Sequence, residues 1–186
     1  MLLFAHPGIT LGVSAVLAGG LNRQRNPLSW FASLSRYLDI RWLLVGSLLP
    51  DIIDKLVGQY LFRDTFNNGR IFSHTLLFLI IVSALGFYLL KKYRRTWMLA
   101  LAAGTFTHLV LDEIWTSPVT LFWPLLGFSF PSIELEGWAS SIWEALFSDP
   151  RIYMPEVVGL VILLIFSLLI IRRKKVGAFL KRGEVS

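Results

Sequence analysis

Long uncharged runs alternate with short charged segments along the chain. Met1 to Asn22 carries no formal charge, Ile71 to Leu90 is 20 residues without one, and Thr96 to Leu111 is uncharged for 16 residues before Asp112. Ile152 to Ile171 spans 20 residues with only Glu156 inside, and Trp42 to Phe62 is interrupted by Pro50, Asp51, Asp54 and Lys55. A helix rises about 1.5 Å per residue, so roughly 20 mainly apolar residues cross a hydrocarbon core of about 30 Å. The pattern predicts an all-α, polytopic integral membrane helical bundle of about five membrane segments, the second the least regular. A cleaved signal peptide has a basic region before its apolar stretch; here Arg23 and Arg25 follow it, so the first segment reads as a retained helix.

Basic residues gather where cytoplasmic loops would be. Arg23 and Arg25 follow segment one, Lys91, Lys92, Arg94 and Arg95 separate segments three and four, and Arg172, Arg173, Lys174 and Lys175 follow segment five. All three clusters share one side if the amino terminus is outside and the carboxyl terminus is cytoplasmic. Between Asp112 and Glu156, seven acidic residues stand against Arg151 alone, which suits the other side. Asn26-Pro27 is a turn signal. Leu28 to Trp42 and Gly137 to Phe147 read as interfacial helices. The stretch divided by Pro118, Pro124 and Pro131 is too short to span and too apolar for a solvated loop, so it is expected to be re-entrant or interfacial and packed on protein. One membrane-embedded domain over residues 1–175 and a basic cytoplasmic tail over residues 176–186 account for the chain.

Composition narrows the picture. Of 186 residues, 55% are hydrophobic and only 16% are charged, where a soluble domain carries about a quarter charged. The absence of Cys excludes disulfides and thiolate-bound metals. A net charge of +6 would suggest nucleic acid only if it formed a basic face; in short clusters between apolar runs it does not, and no nucleic-acid partner is expected. The expected location is a cell membrane, and the family resemblance described below implies the inner one.

The candidate chemistry lies in ionisable groups within these runs. The only three histidines, His6, His74 and His108, fall in predicted spans, and Asp51, Asp54 and Asp112 lie in spans or at their ends. A carboxylate at the centre of a membrane helix costs about 2.5–3.5 kcal/mol, so pairing, water or a cation must offset it. Threading five spans places His6, Asp51, Asp54, His108 and Asp112 near outer helix ends, with His74 one turn into span three. His108 and Asp112 are i,i+4 and Asp51 and Asp54 i,i+3, each pair on one helix face, and Pro50 disturbs the helix just before the latter. Imidazoles and carboxylates without thiolates suit zinc most closely, or manganese or iron. A lone membrane His is more often an interhelical hydrogen-bond partner than a ligand. Asp54-Lys55 also reads as a surface pair, and Asp112-Glu113 as the solvated end of span four.

These motifs resemble a known family. Early His6, Gly8 and Gly12 are followed by Gly46-Ser47-Leu48-Leu49-Pro50-Asp51-Ile52-Ile53-Asp54, then by Arg70 through Ser73-His74-Thr75. Gly104-Thr105-Phe106-Thr107-His108-Leu109-Val110-Leu111-Asp112 and Leu121-Phe122-Trp123-Pro124-Leu125 complete the set. Over roughly residues 5–127 the chain resembles the YdjM-like, LexA-binding, inner-membrane-associated metal-dependent hydrolases. Where that family often shows His-Arg-Gly, this chain has Gly69-Arg70-Ile71, one imidazole fewer. The resemblance implies a membrane-embedded hydrolase with a divalent metal, and a looser similarity to zinc-dependent phospholipase C-like enzymes.

The leading expectation is a metal-dependent hydrolase acting near the outer leaflet on a lipid or lipid-linked phosphoester, with membrane lipids as partners. His6, Asp51, His74, His108 and Asp112 are candidate ligands. Asp54 is a general base or holds a ligand in place, and Arg70 grips a phosphate with two donors. The alternatives are a transporter or ion-binding protein using the same His and Asp groups as a cation or proton site, and a scaffold that needs no site. A transporter would place its polar groups at the midplane and show broken half-repeats; neither is visible here.

Overall fold

The structure is a computed structural model that describes residues 3–22, 29–131, 144, 146–183 and 185. Arg23, Arg25, the Asn26-Pro27 turn and most of the helix expected over Gly137 to Phe147 lie outside the described residues. The elements are helices α1 (Ala5–Leu21), α2 (Trp30–Tyr37), α3 (Ile40–Lys55), α4 (Arg63–Phe66), α5 (Leu76–Tyr93), α6 (Trp97–Leu111), α7 (Pro118–Leu121), α8 (Pro150–Arg172) and α9 (Val176–Arg182). A π-helical stretch, Leu56–Leu61, prolongs α3, and a 3-10 turn, Ile114–Thr116, follows α6. The described residues contain no strand.

α3 and α6 form the central pair; α1 packs on both, α8 packs on α1, and α5 packs on α6. Glycines allow the close crossings. A Cβ on Gly104 would lie 2.2 Å from the Leu43 carbonyl oxygen, and one on Gly8 would lie 2.1 Å from that of Gly159. Leu11, Ala15, Ala18, Leu34, Ile40, Leu43, Phe166 and Ile170 form the apolar core at one end of the bundle. The start of α1, the end of α3, the start of α5, the end of α6 and the start of α8 meet at the other.

Among the described helices, α5 and α8 are long and apolar enough to cross a membrane. Their outer faces expose Leu77, Ile80, Ile81, Leu85, Val157, Val161, Leu164 and Leu168. α1 (17 residues) and α6 (15 residues) are apolar but shorter. The segment from Leu28 to Trp42 is not one helix. It breaks at Leu38, and the Asp39 carboxylate caps α3 by accepting from the Arg41 N–H at 3.0 Å, as favoured at a helix start. Span three also begins later than the hydrophobic run suggests. Residues 71–75 form a turn, and Thr75 Oγ1 caps α5 by accepting from the Phe78 N–H at 3.1 Å. The proline-divided stretch packs on protein as expected: Trp123 and Phe130 lie against Phe72, and the Pro131 carbonyl accepts from Asn68 Nδ2 at 2.6 Å. Residues 176–186 start with α9, whose Phe179 packs on Phe166, and Val185 is buried.

Candidate metal centre

Pro50 opens the geometry. Lacking an N–H, it leaves the Gly46 carbonyl without its usual i+4 donor. Thr105 Oγ1 of α6 donates to that oxygen at 3.3 Å, and one residue on, His108 Nδ1 donates to the Ser47 carbonyl at 2.7 Å. The His108 ring is thus fixed by backbone of the neighbouring helix. A carbonyl only accepts, so the neutral ring keeps its proton on Nδ1 and a lone pair on Nε2.

His74 is held in the same sense. Its Nδ1 donates to Asp54 Oδ2 at 2.7 Å. Asp54 is fully buried and also accepts from the backbone N–H groups of Ile71 (2.7 Å), Ser73 (2.9 Å) and His74 (3.2 Å), and from the Ser73 hydroxyl. These bonds explain why residues 71–75 turn rather than continue as helix: the carboxylate takes donors that a helix would otherwise have used. His74 therefore sits in the turn before α5, not one turn inside it. Lys55 does not pair with Asp54 at a surface either; its Nζ bonds Asp51 Oδ2 at 2.8 Å.

The free ends of both rings converge. His74 Nε2 and His108 Nε2 are 3.2 Å apart. Asp51 Oδ1 lies 3.8 and 4.0 Å from them, and Asp112 Oδ2 lies 3.6 and 3.9 Å away. One donor atom from each of these four residues falls within 4.8 Å of every other. His6 Nε2 meets the second Asp112 oxygen, Oδ1, at 3.0 Å, and its ring stacks on His108 with centroids 4.1 Å apart. Arg70 reaches Asp112 Oδ2 at 2.8 Å and leaves part of its side chain exposed.

The donor chemistry fits a divalent cation. The Nε2 atoms of two imidazoles and two carboxylate oxygens point at a common volume, while both Nδ1 atoms bond away from it. Three carboxylates, Asp51, Asp54 and Asp112, face two fixed cations, Lys55 and Arg70. With neutral imidazoles, the cluster keeps an excess negative charge in buried surroundings, which is costly unless a cation compensates it.

The YdjM inner membrane protein family model matches residues 1–176, which include every one of these groups. The chain belongs to the YdjM inner membrane protein family. Neither a curated protein nor a solved structure matches it. In this YdjM-family chain, the seven residues singled out from sequence all lie in one contiguous network. The four mutually close donors are Asp51, His74, His108 and Asp112, with His6, Asp54 and Arg70 bonded to members of that set. Sequence reasoning missed the Ser47 carbonyl, which is invisible to side-chain patterns. It also missed Glu156, whose Oε2 accepts from the Phe4 N–H at 2.7 Å at the start of α1. A lone carboxylate inside an otherwise apolar 20-residue run was the available signal.

Proposed function

We propose that this protein is a membrane-embedded, divalent-metal-dependent hydrolase of a lipid or lipid-linked phosphoester. The convergence of two oriented imidazole lone pairs and two carboxylates carries this reading. Asp51, His74, His108 and Asp112 hold the ion, zinc by preference for this donor set, with manganese or iron as the other candidates. When bound, such an ion supplies Lewis acidity toward a phosphoryl oxygen and acidifies water. His6 fixes the carboxylate plane of Asp112 and covers one face of His108.

Asp54 orients His74 rather than acting as a base, because its oxygens are buried and already accept five hydrogen bonds. Arg70, partly exposed beside Asp112, binds phosphate oxygens through its fork of donors. In our reading five segments cross the membrane with the amino terminus outside, so the centre lies at extracytoplasmic headgroup depth. The C-terminal ends of α5 and α8, which carry Lys91, Lys92 and Arg172, lie at the opposite end of the bundle and support that orientation. The same placement at helix ends, away from any midplane, weighs against a transport pathway.

Elemental analysis of detergent-purified protein beside His108→Ala tests the metal, with about one ion per wild-type chain and a large loss in the variant expected. Release of an ester product by the zinc-loaded wild type tests the reaction. Absence of stoichiometric metal, or metal without any hydrolysis of phosphoesters or other esters, overturns the reading. Soluble reporters fused to each loop test the topology.

A further inference from the structure

From Ile114 to Pro131 the chain runs 18 residues without a formal charge, just after Asp112 at the end of α6. It does not leave the bundle. Leu121, the last residue of α7, lines a cavity of about 150 Å³ together with Leu79 of α5 and Phe106 and Val110 of α6. Phe106 and Val110 are exposed, and α5 is long and apolar enough to span a membrane. α7 has therefore turned back against surface that faces lipid. Trp123 and Phe130 stack on each other, and both meet Phe72 edge-on with centroids 5.3 and 5.1 Å away.

Between Leu121 and Phe130 the chain forms an apolar tip, with Leu125 85%, Phe128 81% and Leu126 57% exposed. A solvated loop bonds its backbone to water; here the donors are satisfied internally. The N–H groups of Leu121, Phe122, Trp123, Leu125, Leu126 and Gly127 donate to the carbonyls of Ser117, Pro118, Thr120, Phe122 (twice) and Pro124. Pro124 has no N–H, and the Trp123 indole donates to the Phe128 carbonyl at 3.3 Å. No backbone donor from Leu121 to Gly127 needs water, so the tip can enter an apolar phase without stranding one.

An exposed apolar patch marks a membrane or protein contact. This one continues the lipid-facing surface of α5 and α6 in a chain of an inner membrane protein family, which favours lipid as its occupant. Irregular backbone is not tolerated deep in hydrocarbon. The depth open to such a tip is the boundary between headgroups and acyl chains, where amphipathic segments bury about 5–10 Å.

We infer that residues 122–128 form a wedge whose Leu125, Leu126 and Phe128 side chains insert at that boundary, in the leaflet at the metal-centre end of the bundle. The wedge is braced on Phe72, two residues before His74, so it fixes the leaflet surface beside the cluster. It depends on neither a bound ion nor the proposed reaction.

Because the chain has no native Cys, a single fluorophore can be placed at Leu125→Cys, Phe128→Cys, Leu164→Cys or Arg95→Cys in the full-length protein. Each labelled variant is reconstituted in phosphatidylcholine nanodiscs. The quenchers are lipid brominated near the headgroup, lipid brominated near the chain ends, and aqueous iodide. At Leu125→Cys and Phe128→Cys the shallow bromines should quench most and iodide least. At Leu164→Cys, exposed well inside α8, the deep bromines should quench most; at Arg95→Cys, exposed between α5 and α6, iodide should. Adding Leu125→Asp and Leu126→Asp to Phe128→Cys should shift quenching from bromine toward iodide. Iodide quenching at 125 and 128 as strong as at 95 overturns the inference. So does protection there from all three quenchers, the signature of contact with another protein surface, or a profile that the two aspartates leave unchanged.

Discussion

His74 and His108 face one another Nε2 to Nε2 at 3.2 Å, each with its Nδ1 donating away from the other. Two neutral rings so oriented present lone pairs to each other, an arrangement that a shared cation makes favourable. Bound zinc should therefore stabilise the fold. At free zinc about 100-fold above its dissociation constant, the gain is about 2.7 kcal/mol. A chelator should lower the melting temperature of the wild type and leave that of His108→Ala almost unmoved, as read by thermal denaturation in detergent.

Asp54→Asn tests the orienting carboxylate. The substitution removes the charge that five donors surround and turns an amide NH₂ toward some of them. A loss of about 3–5 kcal/mol in stability is expected from breaking a buried charged network. Zinc affinity should fall about 10–100-fold, the usual result of removing a ligand's own hydrogen-bond partner. Competition with a chromophoric chelator measures the second effect, and unchanged affinity in folded protein would contradict the role assigned to Asp54.

Much of this centre was readable from the sequence, and the exceptions have physical causes. His6, His108 and Asp112 are legible because an ionisable side chain in an apolar run needs a partner, and the packing of α1 on α6 supplies one. The turn at residues 71–75 was not, because its apolar residues continue the run into α5 without a break in composition. Only the carboxylate of Asp54, 17 residues before Ile71, diverts the backbone there. The partner of Lys55 was equally hidden: adjacency suggested Asp54, but i,i+4 geometry on α3 delivers Asp51. The lengths of α1 and α6 also fell short of the uncharged runs that predicted them.

Gly104→Ala should damage the centre indirectly. Its new Cβ would meet the Leu43 carbonyl oxygen at 2.2 Å and the Ser47 nitrogen at 2.7 Å, both backbone atoms that cannot step aside. Separation of α3 from α6 is expected to cost about 1–3 kcal/mol and to weaken zinc binding by moving His108 from the Ser47 carbonyl. Gly20→Ala is the control. Nothing lies within 4 Å of a Cβ there, and stability should be unchanged or rise by about 0.5–1 kcal/mol.

Glu156→Ala separates fold from centre. It removes a charge-assisted acceptor from the Phe4 N–H at the start of α1, with an expected loss of about 1.5–3 kcal/mol. Because Glu156 is not one of the four converging donors, zinc stoichiometry in the folded variant should stay at the wild-type value, as elemental analysis would show.

The missing amide hydrogen of Pro50 also makes the side chain at position 105 answer for a backbone vacancy on another helix. A chain that regained an N–H at position 50 would satisfy the Gly46 oxygen within its own helix and free the hydroxyl at position 105 from service. Across related chains, residues 50 and 105 are therefore expected to change together, proline with threonine or serine, and other residues with an apolar side chain of similar size.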